Sequence, residues 1–144
     1  MRAVTLAQFA GIMERSIILE AEAAILARGV VAAEIASRAR ARIGDPEKLP
    51  PELAESTQEE RVRKGYSADE PLLRTGELRD SISWEHRSPI STVVGSTSEI
   101  AVYQELGTVR IPPRPFLGST ITEDEKELAA IHFAAWAARF RQLR

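Results

Sequence analysis

VTLAQFAGIMERSIILEAEAAILARGVVAAEIASRARARI, residues 4–43, is the stretch that decides the fold class. Leu6, Phe9, Met13, Ile17, Ala24, Ala27, Val31 and Ile35 recur at spacings of three, four or seven, and charged residues take the opposite side. One long helix is therefore expected, capped near Thr5 and stopped by Gly44, Asp45 and Pro46, with Arg38, Arg40 and Arg42 near the negative end of its dipole. Gly29, followed by Val30 and Val31, is the weak point at which such a helix would kink or break. About 39 helical residues span roughly 58 Å, whereas a compact chain of this length has a diameter near ~37 Å. The helix thus either breaks near Gly29 or presents an exposed length to something else.

Working outward, residues 45–70 carry Pro46, Pro50 and Pro51, four basic and eight acidic side chains, and few apolar ones. This is the pattern of a mobile acidic connector with one short exposed helix ended by Gly65. From Leu78 the period changes: Ile82, Trp84 and His86 alternate with Ser81, Ser83 and Glu85 as a half-buried strand, and Pro89 marks a turn. Runs at Ile90–Ser96 and Glu99–Leu106 complete an expected antiparallel meander. Residues 107–118, GTVRIPPRPFLG, hold three prolines within four positions and form a loop. A second helix is expected over 122–143, with Thr122 and Glu125 spaced as a capping box and Leu128, Ile131, Ala135, Trp136 and Phe140 as its apolar face.

The expected fold class is α+β in one domain over 1–144: a long helix (1–44), a connector (45–70), a small antiparallel sheet of three to four strands with a proline-rich loop (71–118), and a C-terminal helix packed on the sheet (119–144).

Composition narrows the function. The 144 residues contain no cysteine, which removes disulfides, thiolate nucleophiles and Cys-ligated metals together. Nineteen Lys and Arg against 21 Asp and Glu leave a charge of −2, without the basic stripe of a nucleic-acid-binding domain. No run approaches the length of a membrane span, and the N-terminal apolar run is broken by Glu14, Arg15, Glu20 and Glu22, unlike a signal peptide.

Candidate chemistry is sparse. His132 has Trp136 rather than a ligand at i+4, and His86 follows the strand alternation, so both read as structural. No serine lies in a nucleophile elbow, and no glycine cluster forms a phosphate loop. Glu52, Glu55, Glu59 and Glu60 read as a solvated helix face. No catalytic residue, metal or cofactor is expected, and the chain does not read as an enzyme. The segment Arg110–Leu117 presents rigid backbone followed by Phe116 and Leu117, which suits either docking on a neighbour or plugging the chain's own core.

Two stretches, PLLRTGELRDSI at 71–82 and VGSTSEIAVYQELGTVRIPPRPFLG at 94–118, occur in a familiar order. They resemble the neck and tail-completion proteins of long-tailed bacteriophages and prophages, the virion-morphogenesis or minor tail component group. Leu73, Arg74, Thr75, Gly76, Leu78, Arg79, Ser81 and Ile82 match the first box of that family. Tyr103, Gly107 and Thr108 match the second, and Pro113, Arg114, Pro115, Phe116 and Leu117 the third. In physical terms, Thr75 is placed to cap a short helical turn, Gly107 to take a positive φ, and Arg114 to offer its donor fork to a carboxylate across an interface.

The resemblance implies a structural virion protein, made in the bacterial host cytoplasm, that completes the tail or joins head to tail as a ring subunit. Six copies are implied, monomeric before assembly or not, with other tail, terminator or connector proteins as neighbours. A ring needs two different surfaces per subunit; the helix stripe of Leu6, Phe9, Met13, Ile17, Ala24, Val31 and Ile35 and the Arg110–Leu117 loop are the expected ones. The alternatives are a tail terminator, or a neck or channel protein touching DNA phosphates through Arg28, Arg38, Arg40 and Arg42.

Overall fold

The computed structural model describes residues 5–141, so the expected helix start at Val4 and helix end at Leu143 lie outside the described residues. In chain order the elements are α1 (Leu6–Arg42), α2 (Glu55–Arg63), α3 (Glu77–Asp80), β1 (Ile82–Ser88), β2 (Ser91–Ser96), α4 (Ile100–Leu106), α5 (Gly118–Glu123) and α6 (Glu125–Arg141). The class is α+β, as expected.

Helix α1 runs unbroken for 37 residues, about 56 Å. Thr5 opens it as a full capping box: its hydroxyl accepts the Gln8 N–H at 3.2 Å, and Gln8 Oε1 accepts the Thr5 N–H at 3.0 Å. Gly44, at φ +98°, ends it and donates its N–H to Pro71 O at 2.9 Å, which fixes the start of the first motif box to the helix end. Gly29 does not break the helix. A Cβ there would lie 3.2 Å from His86 Nε2 and 3.3 Å from Trp84, so the missing side chain lets β1 lie close against α1.

The buried seam of α1 differs from the expected stripe. Ala23, Ala27, Ala32, Ala36 and Ala39 are buried, whereas Ala24, Val31 and Ile35 are half-buried and Leu6, Phe9, Met13 and Ile17 are exposed. Small side chains allow neighbouring elements to approach the helix closely, and interaxial distance depends on side-chain size at the contact. Larger apolar residues are thereby left on the outside.

Helix α6 lies antiparallel along α1 rather than on the sheet, which corrects the expected packing. Ion pairs fasten both of its ends: Arg38 meets Asp124 at 3.1 Å and Glu127 at 2.8 Å, and Arg139 meets Glu22 at 3.0 Å. The expected single helix over 122–143 is two helices, because the chain turns at Asp124. Thr122 is not a cap; its hydroxyl donates to Gly118 O and Ser119 O inside α5.

The sheet has two strands among the described residues, not three or four. β1 and β2 pair antiparallel with Ile82 opposite Ser96, Trp84 opposite Val94 and His86 opposite Thr92. The third expected strand, 99–106, is helix α4. Seven residues are too few to separate a period of two from one of 3.6, and Ala, Gln, Glu and Leu favour the helix.

The core gathers at the C-terminal end of α1, where Ala36, Ala39 and Ile43 meet Leu49, Leu78, Ile82, Ala101 and Phe116. Stretch 45–70 is accordingly anchored rather than loose. Leu49 is part of the core, and the buried Arg61 guanidinium donates to the carbonyls of Ser67, Glu70 and Leu73. The short helix α2 and its stop at Gly65, φ +80°, are as expected.

Candidate functional site

Residues of the first and third motif boxes meet at one cleft of about 680 Å³ between α2, α3, α4 and the proline loop, whereas Tyr103, Gly107 and Thr108 of the second do not line it. Arg74, Thr75, Gly76 and Leu78 contribute from the first box, Gln104 and Ile100 from α4, and Arg110, Ile111 and Arg114 from the loop. The remaining motif residues lie outside its lining.

In the first box, Gly76 takes φ +88° and starts α3, and the Thr75 hydroxyl accepts the Glu77 N–H only at 3.4 Å. The helical turn exists, but the N-cap position belongs to Gly76, not Thr75. Leu78 is buried in the core, and Arg79 is spent on the neighbouring Asp80 at 3.3 Å. Arg74 lies over the Tyr66 ring at 5.5 Å and reaches Glu60 at 3.5 Å. The hydrogen bond from Lys64 to Glu60, aided by Lys64's charge, holds that carboxyl below the usual range.

In the second box, Gly107 at φ +73° ends α4, and a Cβ there would lie 2.8 Å from Pro113 N and 2.9 Å from Ile111 O. Thr108 donates its N–H to Ile111 O at 2.8 Å, and its hydroxyl accepts the N–H groups of Arg110 at 3.2 Å and Ile111 at 3.1 Å. Gly-Thr is thus a turn-forming pair that folds the proline loop back on α4. Tyr103 is exposed.

The third box is turned inward, which overturns the expectation for Arg114 and decides between the two readings of Phe116. Arg114 is buried and donates its fork to Pro51 O at 2.9 and 3.2 Å and to Glu52 O at 3.3 Å, not to a carboxylate of a neighbour. Burial pushes its guanidinium below the ordinary range, and the carbonyls satisfy its donors. Phe116 is 1% exposed and fills the chain's own core, with Leu117 packed beside it. Pro113 and Pro115 remain exposed. Of the loop proposed for docking, the exposed parts are Arg110 and the prolines.

Sequence reading missed the group that holds this loop. Glu105 accepts the N–H groups of Phe116 at 2.9 Å, Leu117 at 3.0 Å and Gly118 at 2.6 Å, so one carboxylate satisfies the orphan donors at the start of α5. Arg61 was missed likewise. Neither is marked by any local spacing, because each acts on backbone groups several residues away.

The four arginines considered for DNA are engaged within the chain. Arg28 donates to Pro89 O and Arg40 to Ile82 O. Arg42 meets Glu123 at 2.6 Å and Ser119 at 3.3 Å. Arg38 is bound by Glu34, Glu127 and Asp124, which raise its guanidinium above the ordinary arginine range.

Exposed large apolar side chains among the described residues include Leu26, Val30, Ile90 and Phe133, and two larger groups. One is the arm of α1 N-terminal to Glu22, where Leu6, Phe9, Ile12, Met13 and Ile17 are exposed. The other is the outward side of α4 and the following turn, where Ile100, Val102, Tyr103, Leu106 and Val109 are exposed. Ala101 is buried in the core cluster that also holds Ala36, Ala39 and Ile43, so this patch sits at the opposite end of α1 from the arm. From Met13 to Ala39 the helix rises about 39 Å.

Among the described residues no group of three or more His, Asp or Glu is placed to hold a metal, and no helix is long and apolar enough to cross a membrane. Comparison of the chain with protein-family models, with curated proteins and with solved structures gives no match.

Proposed function

We propose that the protein is a non-enzymatic structural component of a phage or prophage particle, acting at the tail end or neck as a self-assembling tail-completion or head–tail joining subunit. It works by shape and contact, with the virion as its destination and the host cytoplasm as the place of assembly. The ring of six, its tail, terminator or connector neighbours, and the narrower choice of tail completion over tail termination come from the motif resemblance.

The observation that supports this reading is an excess of surface. The chain exposes 10211 Å², whereas a compact monomer of its mass exposes about 7,400 Å². The overhanging arm of α1 contributes to this excess, and its exposed side chains are large and apolar. A cluster of exposed large apolar side chains marks a site of association. Internal engagement of Arg28, Arg38, Arg40 and Arg42 leaves the DNA-contact alternative without an observation in its favour.

The test is deletion of the coding sequence from the phage or prophage genome that carries it. Separated heads and tails and a loss of infectious particles, both restored by a plasmid copy, are expected. Normal particle yield after deletion would contradict the proposal.

A further inference from the structure

We infer that the apolar arm of α1 docks on the α4 patch of a second copy of this chain, in a head-to-tail contact. The inference rests on the assembly reading above and names the surfaces that carry it.

Three features favour this occupant. The first is area. At roughly 100 Å² for each exposed side chain, five on the arm and five on the patch together bury about 1,000 Å², the lower bound for a specific interface.

The second is position. Arm and patch lie at opposite ends of α1, about 39 Å apart along it, so one copy cannot bring its own two surfaces together. Two different complementary surfaces on one subunit generate closed rings or filaments, whereas one self-complementary surface stops at a pair.

The third is charge. Glu20 follows Met13 by seven residues and so lies on the same side of the arm, and its carboxylate has no ion pair among the described residues. Arg110 stands exposed beside Val109 on the patch, and its guanidinium likewise has no acceptor among the described residues. Docking arm on patch brings an acidic and a basic group into one rim, where complementarity sets register.

Contact between two arms would instead place Glu20 of both copies in one apolar seam, with Arg15 on the far side of the helix and unable to offset them. Repulsion of like charges works against that arrangement.

Sedimentation of two blocked variants, alone and mixed, tests the inference. Phe9→Asp/Met13→Asp blocks the arm, and Tyr103→Asp/Leu106→Asp blocks the patch. All four positions are exposed, and circular dichroism checks that each variant folds. Each variant alone is expected to lose at least about tenfold in self-association. The mixture is expected to form a 1:1 pair of twice 15.9 kDa, since one variant keeps its patch and the other its arm.

Arg110→Glu is expected to weaken wild-type association, and adding Glu20→Arg in the same chain to restore it. Unimpaired association of the patch variant beside a monomeric arm variant would overturn the inference in favour of arm pairing with arm. A wild type that stays monomeric at the highest attainable concentration would also overturn it. Neither result bears on whether the protein is found in particles, which deletion and particle composition decide.

Discussion

Arg139 on α6 meets Glu22 on α1 at 3.0 Å, and among the described residues this is the ion pair nearest the N-terminus of α1 that ties it to another element. C-terminal to Glu22, α1 is flanked by α6 and the β hairpin. N-terminal to it, the helix continues to Leu6, a rise of about 24 Å, with large apolar residues facing outward.

Stability and assembly are therefore expected to separate by residue. Phe9→Asp alters a side chain that lies outside the buried core and is expected to change folding free energy by less than about 0.5 kcal/mol in dilute solution. Phe116→Ala empties the core and is expected to cost ~3–5 kcal/mol. Urea unfolding followed by circular dichroism checks both, and a large loss in the Phe9 variant would mean that the arm is covered by its own chain.

Glu105→Gln replaces three charge-assisted bonds with one amide oxygen and an unwanted donor. A loss of about 2–3 kcal/mol is expected. Amide hydrogen exchange supplies the specific readout: the N–H groups of Phe116, Leu117 and Gly118 should lose protection before those of α1.

Gly107→Ala combines strain at φ +73° with a Cβ within 3 Å of backbone atoms of the proline loop, and is expected to cost about 2–4 kcal/mol. Gly95→Ala is the matched control, since a Cβ there meets nothing within 4 Å and φ is not positive. Equal thermal midpoints for the two variants would show that the Gly107 turn does not hold the loop.

Gly29→Leu is expected to lift the hairpin from α1, because its side chain must displace Trp84 and His86. In a Trp136→Phe background, the emission of Trp84 should shift to the red and become easier to quench. An unchanged spectrum would mean that the close approach at Gly29 has no structural weight.

The long helix and its stop were legible because period and glycine chemistry agree over many residues. The hairpin was legible from the alternation around Trp84 and the turn at Pro89. Helix α4 was not, since seven residues of mixed propensity fit both periods. The face on which α1 is buried was also misjudged. Large apolar side chains mark the strongest stripe in sequence, but the seam that admits α6 and β1 is built of alanines, whose small size is their contribution.

Arg114 looked outward in sequence, and Phe116 was open between docking and the chain's own core, because a proline-rich loop tends to lie on the surface. The Glu105 carboxylate and the Arg114 fork turn that loop inward through backbone groups, which no side-chain pattern reveals. The arm was legible in one respect: a helix of that length exceeds what a domain of 144 residues can cover.

Mass spectrometry of purified particles from the strain that carries the gene tests the central claim most directly. Peptides of this chain are predicted at a fixed, low copy number relative to the major tail protein, constant between preparations, with six per particle as the figure the resemblance implies. Their absence from particles that contain every other structural protein would contradict the account.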